Sequence, residues 1–236
     1  LRAPTKENVR EFWQAEACGE RYGADQDRIR YEFEPEILDF ADFAGARGKR
    51  VLEIGVGMGA DFLRWLRAGA TATGIDLTER AVEITRERVA QEGFEADVRQ
   101  ADAEELPFDD GSFDIVYSWG VLHHTPDTPK AITEAKRVLA PGGRLKVMMY
   151  HRRSWVALAA WARFGLFKGR PFTSVADALT HTESPGTRAF TVNEMAELMG
   201  PGATVRPLLT HWDRKYTGGV ARLFGNRFGW FLLGEN

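Results

Sequence analysis

A single cysteine, Cys18, stands in 236 residues. No disulfide can therefore form within the chain, and the scarcity fits a reducing compartment. Cys18 itself reads as a small packing residue rather than a nucleophile. Long apolar runs are missing too. The longest, Trp155 to Phe167, is broken by Arg163 and Gly165 and is too short to span a bilayer. The opening Leu1-Arg2-Ala3-Pro4 has no apolar core of the signal-peptide kind. A cytoplasmic protein without stable membrane insertion is the expectation. Nor is there a surplus of basic charge: 31 Lys and Arg stand against 34 Asp and Glu, a net −3. That balance gives no reason to expect a nucleic-acid partner. Repeats and low-complexity tracts are absent, and the oligomeric state is not legible. What is left is an ordinary globular composition, 44% hydrophobic and 28% charged, sufficient for one large domain with a small appended cap.

Residues 1 to about 48 are polar and aromatic by turns, with Phe12, Trp13, Tyr22, Tyr31 and Phe33, and predict one or two helices outside a main sheet. From Lys49 the pattern changes. Val51 to Ile54 is a short apolar strand running into glycines, and Asp61 to Ala68 follows as a helix with Phe62, Trp65 and Leu66 on one face. Strands are predicted at Thr71 to Asp76, Glu95 to Gln100, Phe113 to Ser118 and Arg144 to Tyr150. Helices lie between them, one capped by Thr78 and one opened by Thr128-Pro129 and stopped by Pro141-Gly142-Gly143. Such alternation implies a parallel sheet covered on both faces. Residues 151 to 190 break the rhythm. Thr191 and Glu194 then form a capping box for a helix that Gly200 closes. Ala203 to Thr210 and Phe228 to Leu233 read as two final strands.

The densest motif is Glu53-Ile54-Gly55-Val56-Gly57-Met58-Gly59, with Asp76 placed 21 residues after Gly55 at the end of the second strand. Glycines at a strand end let the backbone pass close to a ligand, and an acid there accepts both hydroxyls of a ribose. By itself the loop fits two cofactors, S-adenosylmethionine and a dinucleotide. Three features favour the first. Glu53 would repel a pyrophosphate but suits a cationic methionyl group. Asp102, after the third strand, can accept the exocyclic amine of adenine while the next backbone N–H meets a ring nitrogen. The chain after the sheet is too short for a dehydrogenase substrate domain.

An ordered set of segments strengthens that reading: Val51 to Gly59, Gly74-Ile75-Asp76-Leu77, Ala101 to Phe108, Ser112 to Val116, Val121-Leu122-His123-His124 and Leu139-Ala140-Pro141-Gly142-Gly143. Together they resemble the class I S-adenosylmethionine-dependent methyltransferases of the ubiquinone/menaquinone-biosynthesis-like group, over about residues 49 to 150. The resemblance implies an α/β, Rossmann-like, seven-stranded and mostly parallel sheet with a terminal antiparallel hairpin, helices on both faces and a small helical cap. Residues 1–48 would form the cap and 49–236 the cofactor-binding domain, with a substrate-covering insertion at about 151–190. S-adenosylmethionine would be the cofactor and S-adenosylhomocysteine the product. By position, Gly55, Gly57 and Gly59 would pack on the methionyl and ribose parts, and Glu53 would support the amino group. Asp76 would bind the ribose and Leu77 would pack near the adenine. Asp102 and Ala103 would read the adenine edge, and Ser118 and Trp119 would lie beside the sulfonium. Trp119 reads equally well as a core aromatic.

His123 and His124 follow the fourth strand, where this family brings acceptor and methyl together. A neutral imidazole there can take a proton from the acceptor, though a purely structural pair fits as well. Adjacent histidines point apart, and no third ligand has metal-binding spacing. For the acceptor, the expectation is a small molecule, aromatic or isoprenoid. Tyr22, Tyr150, His151 and Arg152 are candidate contacts, with His151 or an arginine binding a polar or anionic group; a solvated basic loop is the alternative for the last two. The run from Trp155 to Phe167 reads as a buried lid helix, with a peripheral membrane contact as the other reading. A cyclisation or other non-methyl transfer on the same fold, and a non-catalytic cofactor-binding protein, are the competing functions. Base-modifying members often carry an Asn-Pro-Pro-aromatic or Asp-Pro-Pro-aromatic segment after the fourth strand; here the sequence is Ser118-Trp119-Gly120-Val121.

Overall fold

The computed structural model describes residues 5–179, 181, 183–217 and 220–236. Leu1-Arg2-Ala3-Pro4, read above for a leader, lies outside the described residues. Among the described residues three α-helices, not one or two, precede the sheet: α1 (Lys6–Ala15), α2 (Gln26–Phe33) and α3 (Glu36–Ala41). Thr5 and Asn8 close a capping box on α1. Pro35 separates α2 from α3, because proline disfavours a helical residue before it and suits a helix start.

The alternating part runs β1 (Arg50–Ile54), α4 (Ala60–Arg67), β2 (Thr71–Asp76), α5 (Glu79–Gln91), β3 (Asp97–Gln100), β4 (Phe113–Trp119), α6 (Thr128–Arg137) and β5 (Leu139–His151). It is followed by α7 (Trp155–Phe164), α8 (Val175–Leu179), β6 (Ala189–Phe190), α9 (Val192–Met199), β7 (Thr204–Leu208), α10 (His211–Thr217) and β8 (Phe231–Glu235). The strands lie in the order β3-β2-β1-β4-β5-β8-β7, with β6 paired to β5 off that path. Strands β1 to β5 are mutually parallel, and β8 runs antiparallel to both β5 and β7. The Rossmann-like architecture and its terminal antiparallel pair are as expected. The eighth strand, β6, is two residues long, too short to leave a periodic signal.

Alternation along β1 fills two cores. Val51 faces Phe62, Trp65 and Tyr117, whereas Leu52 and Ile54 face Leu122, Ile132 and Leu145. Strand order reverses between β1 and β4, which opens a crevice at their carboxyl ends. Two boundaries differ from the sequence reading. Asp127 caps α6, one residue before Thr128, by accepting from the Lys130 N–H. Pro141-Gly142-Gly143 lies inside β5, where an irregular register between Phe113 and Ile115 absorbs it. The capping box at Thr191 and the closure at Gly200 occur as expected. Helix α7 is not buried. Ala157 and Ala160 alone are buried within it, because its apolar residues surround the helix while its main neighbours, α8 and α10, cover one side.

Gly74 carries the crevice on its back. A Cβ at this position would come within 2.6 Å of Val56 in the glycine loop and 2.9 Å of Phe62 in α4. Gly74→Ala should therefore destabilise the fold by about 1–3 kcal/mol, the usual cost of overpacking a filled core. Urea unfolding reads this directly, and an unchanged midpoint would refute the close packing described.

Candidate active site

Between β1 and β4 lies a cleft of about 1170 Å³, counting its open mouth. Its floor is the loop from Gly55 to Gly59, which turns β1 into α4. Gly55 (φ 86°), Gly57 (φ 52°) and Gly59 (φ 76°) all lie in the left-handed region that favours glycine. They differ in what surrounds them. A Cβ on Gly55 would strike Val121 at 2.2 Å, and one on Gly59 would strike Thr85 at 2.9 Å. At Gly57 the nearest atom would be 3.9 Å away, so there the backbone borders open cleft. Gly55 and Gly57 line the cleft; Gly59 serves as the N-cap of α4.

Four of the loop's N–H groups are already taken. Gly55 and Val56 donate to the Ile75 carbonyl at 2.8 and 3.1 Å, Gly59 to the Val56 carbonyl at 2.7 Å, and Gly57 to Asp76 Oδ2 at 3.1 Å. None of these four is left to cradle a pyrophosphate. Asp76 Oδ1 accepts from both the backbone N–H and the hydroxyl of Thr78. Burial pushes the Asp76 carboxyl above its usual range, against the bonds from Thr78 and Gly57.

Glu53 is buried at the end of β1 and lines the cleft, and its Oε2 has no hydrogen-bond partner among the described residues. Burial, then the nearby Asp61 charge, push its carboxyl well above the usual range. Asp102 also lines the cleft but is engaged: its Oδ1 accepts from the Glu104 N–H at 2.8 Å and its Oδ2 from Lys6 Nζ at 2.5 Å. Lys6 reaches Glu104 as well, at 2.7 Å, so α1 is clamped over this end of the cleft. Leu77 and Ala103 complete that wall.

A charged network that the sequence reading did not assemble centres on Asp61, in the first turn of α4. Its oxygens accept from Arg30 at 3.1 and 2.7 Å, from the Tyr31 hydroxyl at 2.8 Å and from the Tyr117 hydroxyl at 2.9 Å. Burial opposes its charge, but the Arg30 guanidinium and the two tyrosine hydroxyls together outweigh that and hold the carboxyl below the usual range. Arg30 also lies 3.8 Å from Glu34, which accepts from the Trp119 indole N–H at 2.9 Å. The available signal was an acid in the first turn of an otherwise apolar helix face.

Of the two residues expected beside the sulfonium, Trp119 lines the cleft and Ser118 does not. Ser118 is buried and donates to the Ile54 carbonyl, tying β4 to β1. The two imidazole rings do not point apart as expected but lie 4.2 Å from one another, and they differ in what they face. His124 lines the cleft and is held at Nδ1 by Thr187 and Ser184, each at 2.8 Å. His123 is fully buried, lies against the Tyr150 ring at 4.1 Å, and has neither ring nitrogen partnered among the described residues. Burial lowers His124 to about 4 and His123 further below its ordinary value. Both are neutral imidazoles at neutral pH.

The four expected acceptor contacts do not line the cleft. Tyr22 sits under Arg21. Tyr150 stacks on Trp230 at 4.2 Å and donates to Glu183 Oε2 at 3.3 Å, one ring beyond the histidine pair. Burial pushes the Glu183 carboxyl up to about 7, while the Tyr150 bond works the other way. His151 is buried, its Nδ1 against the Gly229 carbonyl. Arg152 turns away to an ion pair with Glu194, at 2.6 Å. His151 and Arg152 are thus engaged with Gly229 and Glu194 rather than with the cleft.

Residues 52–147 match the model of the methyltransferase domain family. These residues thus carry a methyltransferase domain, and the four bonded loop amides and the unpartnered Glu53 agree with that match. The domain is 38% identical over 117 residues to a ubiquinone biosynthesis O-methyltransferase of Aromatoleum aromaticum, covering 49% of this chain and 50% of that one. It is 43% identical over 105 residues to the 27-O-demethylrifamycin SV methyltransferase of Amycolatopsis mediterranei, covering 42% and 37%. The chain thus spans about half or less of the length of these curated relatives. Geranyl diphosphate C-methyltransferase from Streptomyces coelicolor superposes with a TM-score of 0.67 over 99% of this chain and 96% of its own, at 15% identity. The [4+2]-cyclase SpnF does so at 0.65, over 100% and 96%, at 18% identity. These two likenesses are of fold. The cofactor of the methyltransferase domain is S-adenosylmethionine, and the cleft fits it: an orphaned buried carboxylate oxygen for an ammonium, open space above Gly57, and an acid at the end of β2.

The buried histidines make a pH prediction. The unfolded chain protonates His124 near its ordinary value of about 6.5, whereas the folded one resists until about 4. A depressed base stabilises the fold above the unfolded value and loses that contribution as pH falls towards the folded one. Glu53 and Glu183 are raised and act in the opposite sense, so the informative quantity is a difference. The stability of wild type relative to His124→Gln should fall by about 1.4 kcal/mol per pH unit between pH 6.5 and 4. A difference that stays flat across urea titrations in that window would show that His124 titrates normally.

Proposed function

We propose that this protein transfers a methyl group from S-adenosylmethionine to a small-molecule acceptor. The observation that carries the reading is Glu53: a buried carboxylate oxygen without a partner among the described residues, on the wall of a cleft in whose loop four amides are already bonded. Bound there, the cofactor supplies a methyl group on a sulfonium, which is already an activated leaving group. In this reading the chain's task is alignment and exclusion of water. Glu53 receives the methionyl ammonium, and Arg30, anchored by Asp61, faces its carboxylate. Gly57 gives the backbone close approach, while Gly55 and Gly59 shape the turn. Asp76 takes the ribose hydroxyls. Leu77 packs on the adenine, with Asp102 and Ala103 at its edge and Lys6 sharing Asp102. Trp119, fixed by Glu34, offers its ring to the sulfonium.

His124 is then the histidine nearest the reacting atoms. A conjugate acid near pH 4 makes it a weak base, so it positions an acceptor more readily than it deprotonates one. His123 supports Tyr150 from behind. The small-molecule class of the acceptor follows the relatives, whose names describe ubiquinone and rifamycin O-methylation.

Calorimetry with S-adenosylmethionine and S-adenosylhomocysteine, with NAD as control, tests the reading. Wild type should bind both sulfur cofactors. Asp76→Ala should weaken binding by about tenfold or more, the scale of lost hydrogen bonds to a charged group. Burial raises the Glu53 carboxyl well above its usual range, and an arriving ammonium should lower it and favour release of any proton it holds. The measured heat should then vary with the ionisation enthalpy of the buffer, and Glu53→Gln should abolish that variation. Binding of NAD instead would overturn the assignment. With an acceptor in hand, a product one methyl heavier together with S-adenosylhomocysteine separates methyl transfer from cyclisation, which leaves the cofactor intact.

A further inference from the structure

Large apolar side chains exposed on this protein are not scattered. Nine stand out among the described residues, and seven of them belong to α7, the stretch after it, and the 3-10 helix Val220–Phe228. Phe172 is fully exposed, Leu223 is 83% and Phe167 79% exposed, and Leu158, Leu166, Val220 and Phe224 accompany them. The segments are continuous in space. Trp155 of α7 packs on Phe224 at 5.5 Å and on Phe228 at 5.6 Å, and α10 lies against both α7 and that 3-10 helix. Leu158 is one turn along α7 from Trp155, and Leu166, Phe167 and Phe172 extend the row past its carboxyl end.

Charge on the same segments is one-sided. Residues 152–176 hold five basic and no acidic residues, and residues 214–234 hold four and none. The rest of the chain keeps 22 basic against 34 acidic residues. Arg152 is paired with Glu194, but Arg153, Arg163, Lys168, Arg170, Lys215 and Arg227 are exposed and form no ion pair among the described residues. The side chains of Arg163, Lys215 and Arg227 lie about the faces of Phe164, Trp212 and Phe228. Apolar side chains flanked by unpaired cations, on a chain that is acidic elsewhere, match the two-part requirement for interfacial binding. No helix among the described residues is long and apolar enough to cross a membrane.

We infer that this face docks reversibly on an anionic lipid bilayer, with Leu158, Phe167, Phe172 and Leu223 inserted among the acyl chains and the basic rim on the headgroups. Strand β5 leads directly into α7, so the docked face belongs to the same end of the sheet as the cleft.

Co-sedimentation with phosphatidylcholine vesicles, with and without phosphatidylglycerol, tests the inference on the whole chain. Binding should be at least about tenfold stronger with phosphatidylglycerol and should weaken as salt is raised. Phe167→Ser/Phe172→Ser/Leu223→Ser should lose about tenfold or more of that binding. All three side chains are exposed, so the variant should retain wild-type affinity for S-adenosylhomocysteine, which reports folding independently of the lipid. Three results would overturn the inference: no binding to anionic vesicles, equal binding by the triple variant, or a wild-type dimer in light scattering that the triple variant dissolves. The last would assign the face to a second copy of this chain. Because the vesicle assay involves no methyl transfer, its failure leaves the proposed activity untouched, and the reverse also holds.

Discussion

Asp61 is a carboxylate that the fold encloses almost completely, at the first turn of a helix that begins from a left-handed glycine. Enclosing a charge is costly unless it is paired and hydrogen-bonded. Here four donor contacts arrive from three directions: two from Arg30, one from Tyr31 and one from Tyr117. The helix dipole at the start of α4 adds a favourable field. Because Arg30 and Tyr31 lie on α2 and Tyr117 on β4, the acid joins the helices before the sheet to the strand on the far side of the crevice. Those helices are thereby a wall of the cleft. The same guanidinium stands near Glu34, and Glu34 in turn fixes the Trp119 indole. A single buried charge thus sets the cap, the loop helix and the aromatic at the cleft mouth in register.

The parts of this arrangement that were legible in the sequence are those governed by local rules. The strand into glycines at Glu53 to Gly59 and the acid after β2 depend on period and spacing, and both reach the cleft. Thr191 and Glu194 are three residues apart, so their box was visible. Partners distant in sequence were not. Nothing near Asp102 announces that Lys6, 96 residues away, will hold it. Arg152 looked free because Glu194 was already explained by its cap, yet one carboxylate serves both. Tyr150 and His151 end β5, but which way each side chain turns depends on packing against Trp230 and Gly229. Helix α7 misled for a related reason. Apolar residues on all sides signal burial only if enough neighbours exist to cover them.

The polarity of the cleft bears on why one glycine loop serves this cofactor and not a dinucleotide. Its walls present Glu53, Asp61, Asp76, Asp102 and Glu104, and the two cations there, Arg30 and Lys6, are each tied to acids. The histidines contribute no positive charge, because burial keeps them neutral. A pyrophosphate would meet a wall richer in carboxylates than in cations, and four loop amides already bonded. A sulfonium and an ammonium would meet the complementary field, and Glu53 would gain the partner that it lacks.

Placement of the exposed apolar face follows from the same topology. In a parallel sheet every strand delivers its chain to the carboxyl edge, so whatever extends β5 must emerge beside the cleft. Here that extension is α7, and the chain returns through α10 and the 3-10 helix Val220–Phe228 before β8. The end of β5 and the start of the apolar row are neighbours in sequence: Tyr150 packs beside the histidines near the end of β5, and Trp155, five residues later, opens the apolar row. A lipid-borne acceptor would need to leave a bilayer and enter the cleft without crossing much water. An apolar, basic-rimmed face at the cleft's own end shortens that path, and it explains why large side chains stay uncovered in one place while the rest of the surface is acidic.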